Sequence, residues 1–131
     1  MDKVLGIDYG LKKIGLALAD GEWVEPLMGI KNKKEKEKVL RIIEIICQKQ
    51  AIGKIVIGLP ESGLVKEIKK FGSDLGGITS LPVFYQDENL TTQDAIVKMI
   101  AAGKSRKARK RDEDAIAAAL ILQNWLDQKN V

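Results

Sequence analysis

The chain has 131 residues, of which 45% are hydrophobic and 31% are charged, and its formal net charge is +4 at pH 7. This length and composition predict a single domain, residues 1–131, with a hydrophobic core. The chain has no histidine and one cysteine, Cys47, which excludes His-dependent catalysis, His-ligated metals and an internal disulfide. A single cysteine with no disulfide partner is typical of a cytoplasmic protein. No apolar run is long enough to predict a membrane span.

The hydrophobic pattern predicts secondary structure in the order βββαβαβαα. Residues 3–8 and 14–19 read as two strands joined by a tight turn. Residues 23–30 form a third strand, in which Pro26 indicates an edge position or a bulge. The later elements are a helix over 34–50, a buried strand over 54–60, a helix over 64–75, a strand over 82–86, and helices over 92–102 and 113–128. The predicted fold class is α/β, with a mixed five-stranded sheet (three antiparallel strands, then parallel strands) flanked by helices.

Acidic residues stand where three of these elements begin or end. Asp8 ends the first strand within an apolar run, Asp87 and Glu88 end the fifth strand, and residues 112–114 open the last helix. Carboxylates that converge repel one another unless a cation lies between them, as in metal sites for phosphoryl transfer. Because the chain lacks histidine, such a site favours a hard cation, Mg²⁺ or Mn²⁺. The simpler alternatives are turn or cap residues and acidic side chains that complement a helix dipole.

Basic residues are concentrated immediately before Asp114. Six cations fall within eight residues of a predicted loop over 103–111, and they are Lys104, Arg106, Lys107, Arg109, Lys110 and Arg111. Cations at this place would hold a phosphate backbone near the acidic residues. The alternative is a solvated loop.

Two other sets of residues bear on nucleic-acid binding. The lysines of residues 31–38 alternate with glutamates at helical spacing, which favours a solvated helix start. Tyr9 and Tyr85 are candidates for stacking on a base. The other aromatic side chains are interpreted as core or near-core, and they are Trp23, Phe71, Phe84 and Trp125.

Four motifs in chain order carry a family resemblance. They read DYGLKKIGLA over residues 8–17, IGLP over 57–60, DENLTTQDA over 87–95 and DAIAAALILQ over 114–123. Together they cover nearly the whole chain and resemble the motifs of the YqgF/RuvX family of Holliday junction resolvases, within the ribonuclease H-like superfamily. Two positions depart from the family pattern: Asn89 stands where arginine is usual, and Leu11 replaces a small polar residue of the turn.

The resemblance implies a set of site residues. Asp8, Glu88 and Asp114 would be the catalytic, metal-binding carboxylates, and Asp87 and Glu61 would be further metal ligands. Lys12 would be the basic residue of the first turn, with Lys13 beside it, and both are predicted to contact nucleic acid.

The leading functional hypothesis is a Mg²⁺-dependent endonuclease that acts on structured nucleic acid. The resemblance implies branched DNA, or RNA in maturation of the 5′ end of precursor 16S ribosomal RNA, as substrate. A homodimer is expected if the substrate is a four-way junction, which needs two symmetric cuts. Two alternatives remain open. One is a nucleic-acid-binding module with little catalysis, suggested by Asn89, and the other is a phosphate-binding domain of the actin and sugar-kinase type.

Overall fold

The computed structural model describes residues 3–87 and 106–129. Its strands are β1 (Lys3–Tyr9), β2 (Lys13–Asp20), β3 (Trp23–Lys31), β4 (Ile52–Leu59) and β5 (Val83–Asp87). Its helices are α1 (Lys36–Lys49), α2 (Val65–Thr79) and α3 (Arg106–Lys129). No helix in these ranges is long and apolar enough to cross a membrane.

The five strands form one mixed sheet in the order β3-β2-β1-β4-β5. Strand β2 is antiparallel to both β1 and β3, whereas β4 is parallel to both β1 and β5. The predicted sheet is therefore confirmed. The prediction for Pro26 is confirmed in both of its forms, because β3 is an edge strand and its pairing with β2 shifts register beside Pro26.

The two faces of the sheet carry separate hydrophobic cores. Helices α1 and α2 cover one face, where their apolar stripes pack on Leu5, Ile7 and Ile57. Helix α3 covers the other face, where Ala118, Leu122 and Trp125 pack on the alternate residues of the same strands. Strands β1 and β4 are covered on both faces, which explains their nearly continuous apolar sequences.

Helix α3 crosses its face of the sheet diagonally. Near its C-terminal end, the Trp125 ring lies 5.8 Å from the Phe84 ring of β5. Closer to the middle of the helix, Leu122 fills the space above Gly6 of β1. Nearer its N-terminus, Asp114 lies over Gly15 of β2. The helix thus runs antiparallel to β1, and it carries Asp114 toward the edge of the sheet where β1 ends.

Two sequence predictions about this region need correction, and a third is not tested. The basic segment is not a loop up to residue 111, because α3 begins at Arg106. Residues 112–114 consequently do not open the helix but lie in its second and third turns, where the helix dipole offers an acidic side chain little stabilisation. The predicted helix over 92–102 lies outside the described residues.

Two aromatic predictions also prove wrong. Trp23 is 69% exposed on the edge strand, not part of a core. Tyr9 is buried and cannot stack on a base, because its ring packs 4.9 Å from that of Phe71 and its hydroxyl donates a 2.7 Å hydrogen bond to Glu67. Burial, more than any other cause, raises the pKa of this hydroxyl.

Candidate functional site

The candidate site begins with a row of residues across one face of the sheet. The strand registers place Gly29, Gly15 and Asp8 side by side on β3, β2 and β1. On the other side of Asp8, Gly58 follows the β1–β4 pair Ile7–Ile57, and Gly58 pairs with Gln86 of β5. Asp8 is thus flanked by glycine on both neighbouring strands, which leaves its half-buried carboxylate with no bulky neighbour in the row.

Helix α3 brings Asp114 to the same row. A Cβ atom added to Gly15 would lie 1.9 Å from the Asp114 carbonyl oxygen, and one added to Gly29 would lie 3.8 Å from the Asp114 carboxylate oxygen Oδ2. Gly15 is also the cross-strand partner of Asp8. Two of the three predicted catalytic residues therefore lie on one face of the sheet, although 106 positions separate them in sequence (114 − 8 = 106). Asp8 and the Asp114 backbone both adjoin Gly15, whereas the Asp114 carboxylate lies beside Gly29 of β3.

The chemistry of these donors fits a hard divalent cation. Both side chains are carboxylates, and the chain has no histidine that would favour a softer metal. Among the side chains that the structure describes, those of residues 3–87 and 113–128, no group of three or more metal-binding side chains assembles. The third predicted ligand, Glu88, lies outside the described residues, directly after the end of β5.

The structure places the two additional ligand candidates less favourably than Asp8. Asp87 is exposed and follows Gln86 in β5, so strand alternation directs it to the face covered by α2, away from Asp8. Glu61 is exposed two residues beyond the end of β4. It lies at the same edge of the sheet as Asp8, because β4 and β1 are parallel neighbours.

The turn between β1 and β2 is held in place by Asn32, which follows the end of β3. The Asn32 side-chain amide donates a 2.7 Å hydrogen bond to the Gly10 carbonyl, and its backbone N–H donates a 2.9 Å bond to the Lys12 carbonyl. A side chain at Gly10 would place Cβ 2.6 Å from the Lys13 carbonyl oxygen, which explains the glycine of the first motif. The turn is therefore a fixed structure next to Asp8.

The predicted nucleic-acid contacts fall in two groups. Lys12 and Lys13 are exposed at the turn, at the edge of the sheet where Asp8 lies. The backbone of Arg106, Lys107, Arg109, Lys110 and Arg111 is helical and leads into Asp114, whereas Lys104 lies outside the described residues.

Sequence reasoning missed the residues that shape this site rather than occupy it. Gly15, Gly29 and Gly58 clear the space around the two carboxylates, and Asn32 fixes the turn. Gln86 is 5% exposed and ends the row on β5. Gly15 and Gly58 stand inside the quoted motifs, so the signal was present, but their role depends on strand register and on the helix that lies above them.

The fold defines the class of protein. Over its whole length the chain is similar to RuvC of Thermus thermophilus in complex with a Holliday junction substrate, with a TM-score of 0.62 at 16% identity, covering 100% of this chain and 98% of that one. It is also similar to the Fowlpox virus Holliday junction resolvase, with a TM-score of 0.62 at 12% identity, covering 98% and 99%. The chain thus has the ribonuclease H-like fold of these resolvases.

Sequence comparison narrows the class to a family. The family model described as "RuvX: Holliday junction resolvase" matches residues 2–128. A protein of Endomicrobium trichonymphae named "Putative pre-16S rRNA nuclease" is 38% identical over 97% of this chain and 96% of its own length. A Rickettsia canadensis protein of the same name is 37% identical over 95% of this chain and 86% of its own. The chain belongs to the RuvX family, as its four motifs predicted.

Proposed function

We propose that this protein is a metal-dependent endonuclease that hydrolyses phosphodiester bonds in structured nucleic acid. The observation that carries the proposal is the approach of Asp8 and Asp114 to the same glycine, Gly15, on one face of the sheet. Two carboxylates on one face of the sheet, in a chain without histidine, are a donor set suited to a hard cation. Mg²⁺ or Mn²⁺ is the proposed cofactor, held by Asp8 and Asp114 with Glu88 as the third ligand.

A cation bound there would supply Lewis-acid stabilisation of the phosphate charge and lower the pKa of a bound water. The protein's own residues perform the remaining tasks. Asp8, on a central strand covered on both faces, provides a fixed ligand position, and the diagonal packing of α3 sets the position of Asp114 relative to it. The cations of the first turn and of the start of α3 bind the phosphate backbone and fix its position.

The 5′ end of precursor 16S ribosomal RNA is the proposed substrate, based on the names of the relatives that share 37–38% identity over nearly the whole chain. A four-way DNA junction is the second candidate, supported by the description of the matching family model. A homodimer is proposed only if the four-way junction is the substrate. A cytoplasmic location is proposed with either substrate.

Single-residue variants test the enzyme against a module that only binds nucleic acid. Asp8→Asn and Asp114→Asn each remove one ligand charge while keeping the side-chain size. We expect cleavage with Mg²⁺ or Mn²⁺ to fall at least about 1,000-fold, which corresponds to roughly 4 kcal/mol of lost transition-state stabilisation. Binding to the same substrate is retained, because the phosphate-binding cations remain.

The matched control is Asp20→Asn, an exposed carboxylate at the end of β2, on the opposite edge of the sheet. Cleavage is measured on a precursor 16S fragment, a four-way junction, a linear duplex and a single-stranded RNA. Absence of cleavage of every substrate by the wild-type protein would leave the binding module as the function. Cleavage by Asp8→Asn at the rate of the wild type would exclude the proposed site.

A further inference from the structure

A pair of lysines faces the candidate site across two strands. Lys13 of β2 and Lys31 of β3 are direct cross-strand partners, and both are exposed. Each lies two residues beyond the row that contains Gly15 and Gly29, so strand alternation places both on the face where Asp8 and Asp114 lie. Two residues along a strand correspond to about 7 Å. The Cα atoms of the two lysines therefore lie about 7 Å along their strands from the row that contains Asp8.

This arrangement has a cost in the protein alone. Like charges directly opposite each other on neighbouring strands destabilise a sheet. The ion pairs among the described residues involve Lys38, Arg41 and Lys70, and none of them includes Lys13 or Lys31. An anion bound between the two lysines would offset their repulsion.

Two further lysines are held next to this pair. The sequence-based interpretation of residues 31–38 as a helix start is wrong for its first part, because α1 begins only at Lys36. Lys33 and Lys34 instead lie exposed in the connection between β3 and α1. Asn32 joins this connection to the β1–β2 turn, and its side-chain oxygen accepts a hydrogen bond from Lys36. Lys33 accepts a second bond from Lys36 through its carbonyl oxygen, at 2.8 Å.

The simplest alternative is that these lysines keep an exposed edge strand from pairing with other chains. That role requires charge on β3 but no particular relation to β2 or to the first turn. The hydrogen bonds of Asn32 instead hold the start of the β3–α1 connection, which carries the exposed Lys33 and Lys34, beside the backbone of Gly10 and Lys12. Five exposed lysines therefore lie on adjoining backbone segments. We call this surface, made of Lys12, Lys13, Lys31, Lys33 and Lys34, the lysine platform.

We propose that the lysine platform binds the phosphate backbone of the substrate on the β2–β3 side of Asp8 and Asp114. Lys31, Lys33 and Lys34 thereby join Lys12 and Lys13 as nucleic-acid contacts, separate from the basic segment of α3. The inference rests on the proposed function, because it assigns part of the substrate path of the same site. Recognition is of the backbone and carries no base specificity.

The salt dependence of binding tests this proposal. The variant Lys31→Gln/Lys33→Gln/Lys34→Gln is compared with the wild type by fluorescence anisotropy. The probes are a four-way DNA junction and a precursor 16S fragment, with EDTA present so that only binding is measured. Each lost phosphate contact reduces the slope of log K against log salt by about 0.9 for duplex DNA or about 0.7 for a single strand. The expected loss for three contacts is up to about 2.7 or 2.1.

The control variant is Lys3→Gln/Lys49→Gln/Lys54→Gln, which removes the same three charges at the opposite edge of the sheet, where β1 and β4 begin and α1 ends. We expect it to keep the wild-type slope. We also expect the Lys31, Lys33 and Lys34 variant to melt no lower than the wild type, because it relieves the repulsion between Lys13 and Lys31.

Different outcomes separate this inference from the proposed function. A wild-type slope in the Lys31, Lys33 and Lys34 variant, or an equal loss of slope in the control variant, overturns the lysine platform and leaves the nuclease proposal standing. If the wild type binds neither probe at low salt, the proposed function fails and the platform fails with it.

Discussion

Gly15 has the most demanding position of any single residue around the site. A Cβ atom there would lie 1.9 Å from the carbonyl oxygen of Asp114 and 2.3 Å from its carbonyl carbon. Both atoms belong to the helix backbone, so the contact cannot be relieved by a side-chain rotation. The residue therefore determines how closely the helix that carries Asp114 approaches the strand that pairs with Asp8.

We expect Gly15→Ala to lower the free energy of unfolding by about 1–3 kcal/mol and to abolish cleavage, because α3 must move away from the sheet. Urea denaturation measures the first effect and a cleavage assay the second. The control is Gly77→Ala in α2, where no atom lies within 4 Å of the added Cβ. That change is expected to raise stability by roughly 0.5–1 kcal/mol. Unchanged stability and cleavage in Gly15→Ala would contradict the observed packing.

Among the secondary-structure elements, the strands were predicted more accurately than the helix at the site. Continuous apolar runs and turn residues predicted the five strands and their order along the chain. Pro26 correctly indicated the edge strand. The start of α3 was misplaced because Lys104–Arg111 is dense in charge and reads as a solvated loop. Lysine and arginine nevertheless have high helix propensity, and the segment begins the helix at Arg106.

The motifs single out Asp8 and Asp114, and the structure places the backbone of both beside Gly15. Their role as metal ligands stays a prediction. Strand alternation directs Asp87 away from Asp8, and this depends on the pairing of β5 with β4, which the motif alone does not specify. The coupling of two turns through Asn32 could not be predicted either, because it joins residues 22 positions apart through a side-chain hydrogen bond.

Helix α1 carries the buried thiol of Cys47, which makes the stability of the protein depend on pH in the alkaline range. Burial, with a smaller effect of the Glu44 carboxylate, raises the pKa of this thiol from 9.0 to about 11. Between these values the thiol ionises in the unfolded chain but stays neutral in the folded one. Stability contributed by the neutral thiol is therefore full below pH 9 and is lost as the pH rises toward 11.

We expect the free energy of unfolding to fall less steeply from pH 9 to pH 11 in Cys47→Ala than in the wild type. Urea denaturation at intervals of half a pH unit measures this slope. Cys47→Val is the second variant, since it keeps more of the side-chain volume. Its stability should differ from that of Cys47→Ala at every pH, whereas its slope of unfolding free energy against pH should be the same. Slopes equal to that of the wild type in both variants would show that the thiol does not titrate in this way.

At the scale of the whole molecule, the site joins the two ends of the described chain. Asp8 belongs to the first strand and Asp114 to the last helix, and the two sides of the sheet have separate cores. A cation held between these elements, as proposed above, would bind the folded state and not the unfolded chain. Cation binding and global stability would then be linked.

We expect Mg²⁺ or Mn²⁺ to raise the melting temperature of the wild type beyond the effect of NaCl at equal ionic strength. The stabilisation is about 2.7 kcal/mol when the free cation is 100 times its dissociation constant. Asp8→Asn should lose this increase, whereas Asp20→Asn should keep it. Differential scanning fluorimetry measures all three proteins. An equal increase in wild type and Asp8→Asn would place the cation elsewhere.

The diagonal helix α3 has a consequence for how the protein loses activity. It is the one helix on its face in the described part of the chain, while α1 and α2 share a core on the other face. Detachment of α3 alone separates Asp114 from Asp8 without exposing the core between the sheet and helices α1 and α2. Amide hydrogens of α3 should accordingly exchange with solvent through a smaller opening free energy than those of β1 and β4. Mild heating or dilute urea would then abolish cleavage while most of the sheet is still folded.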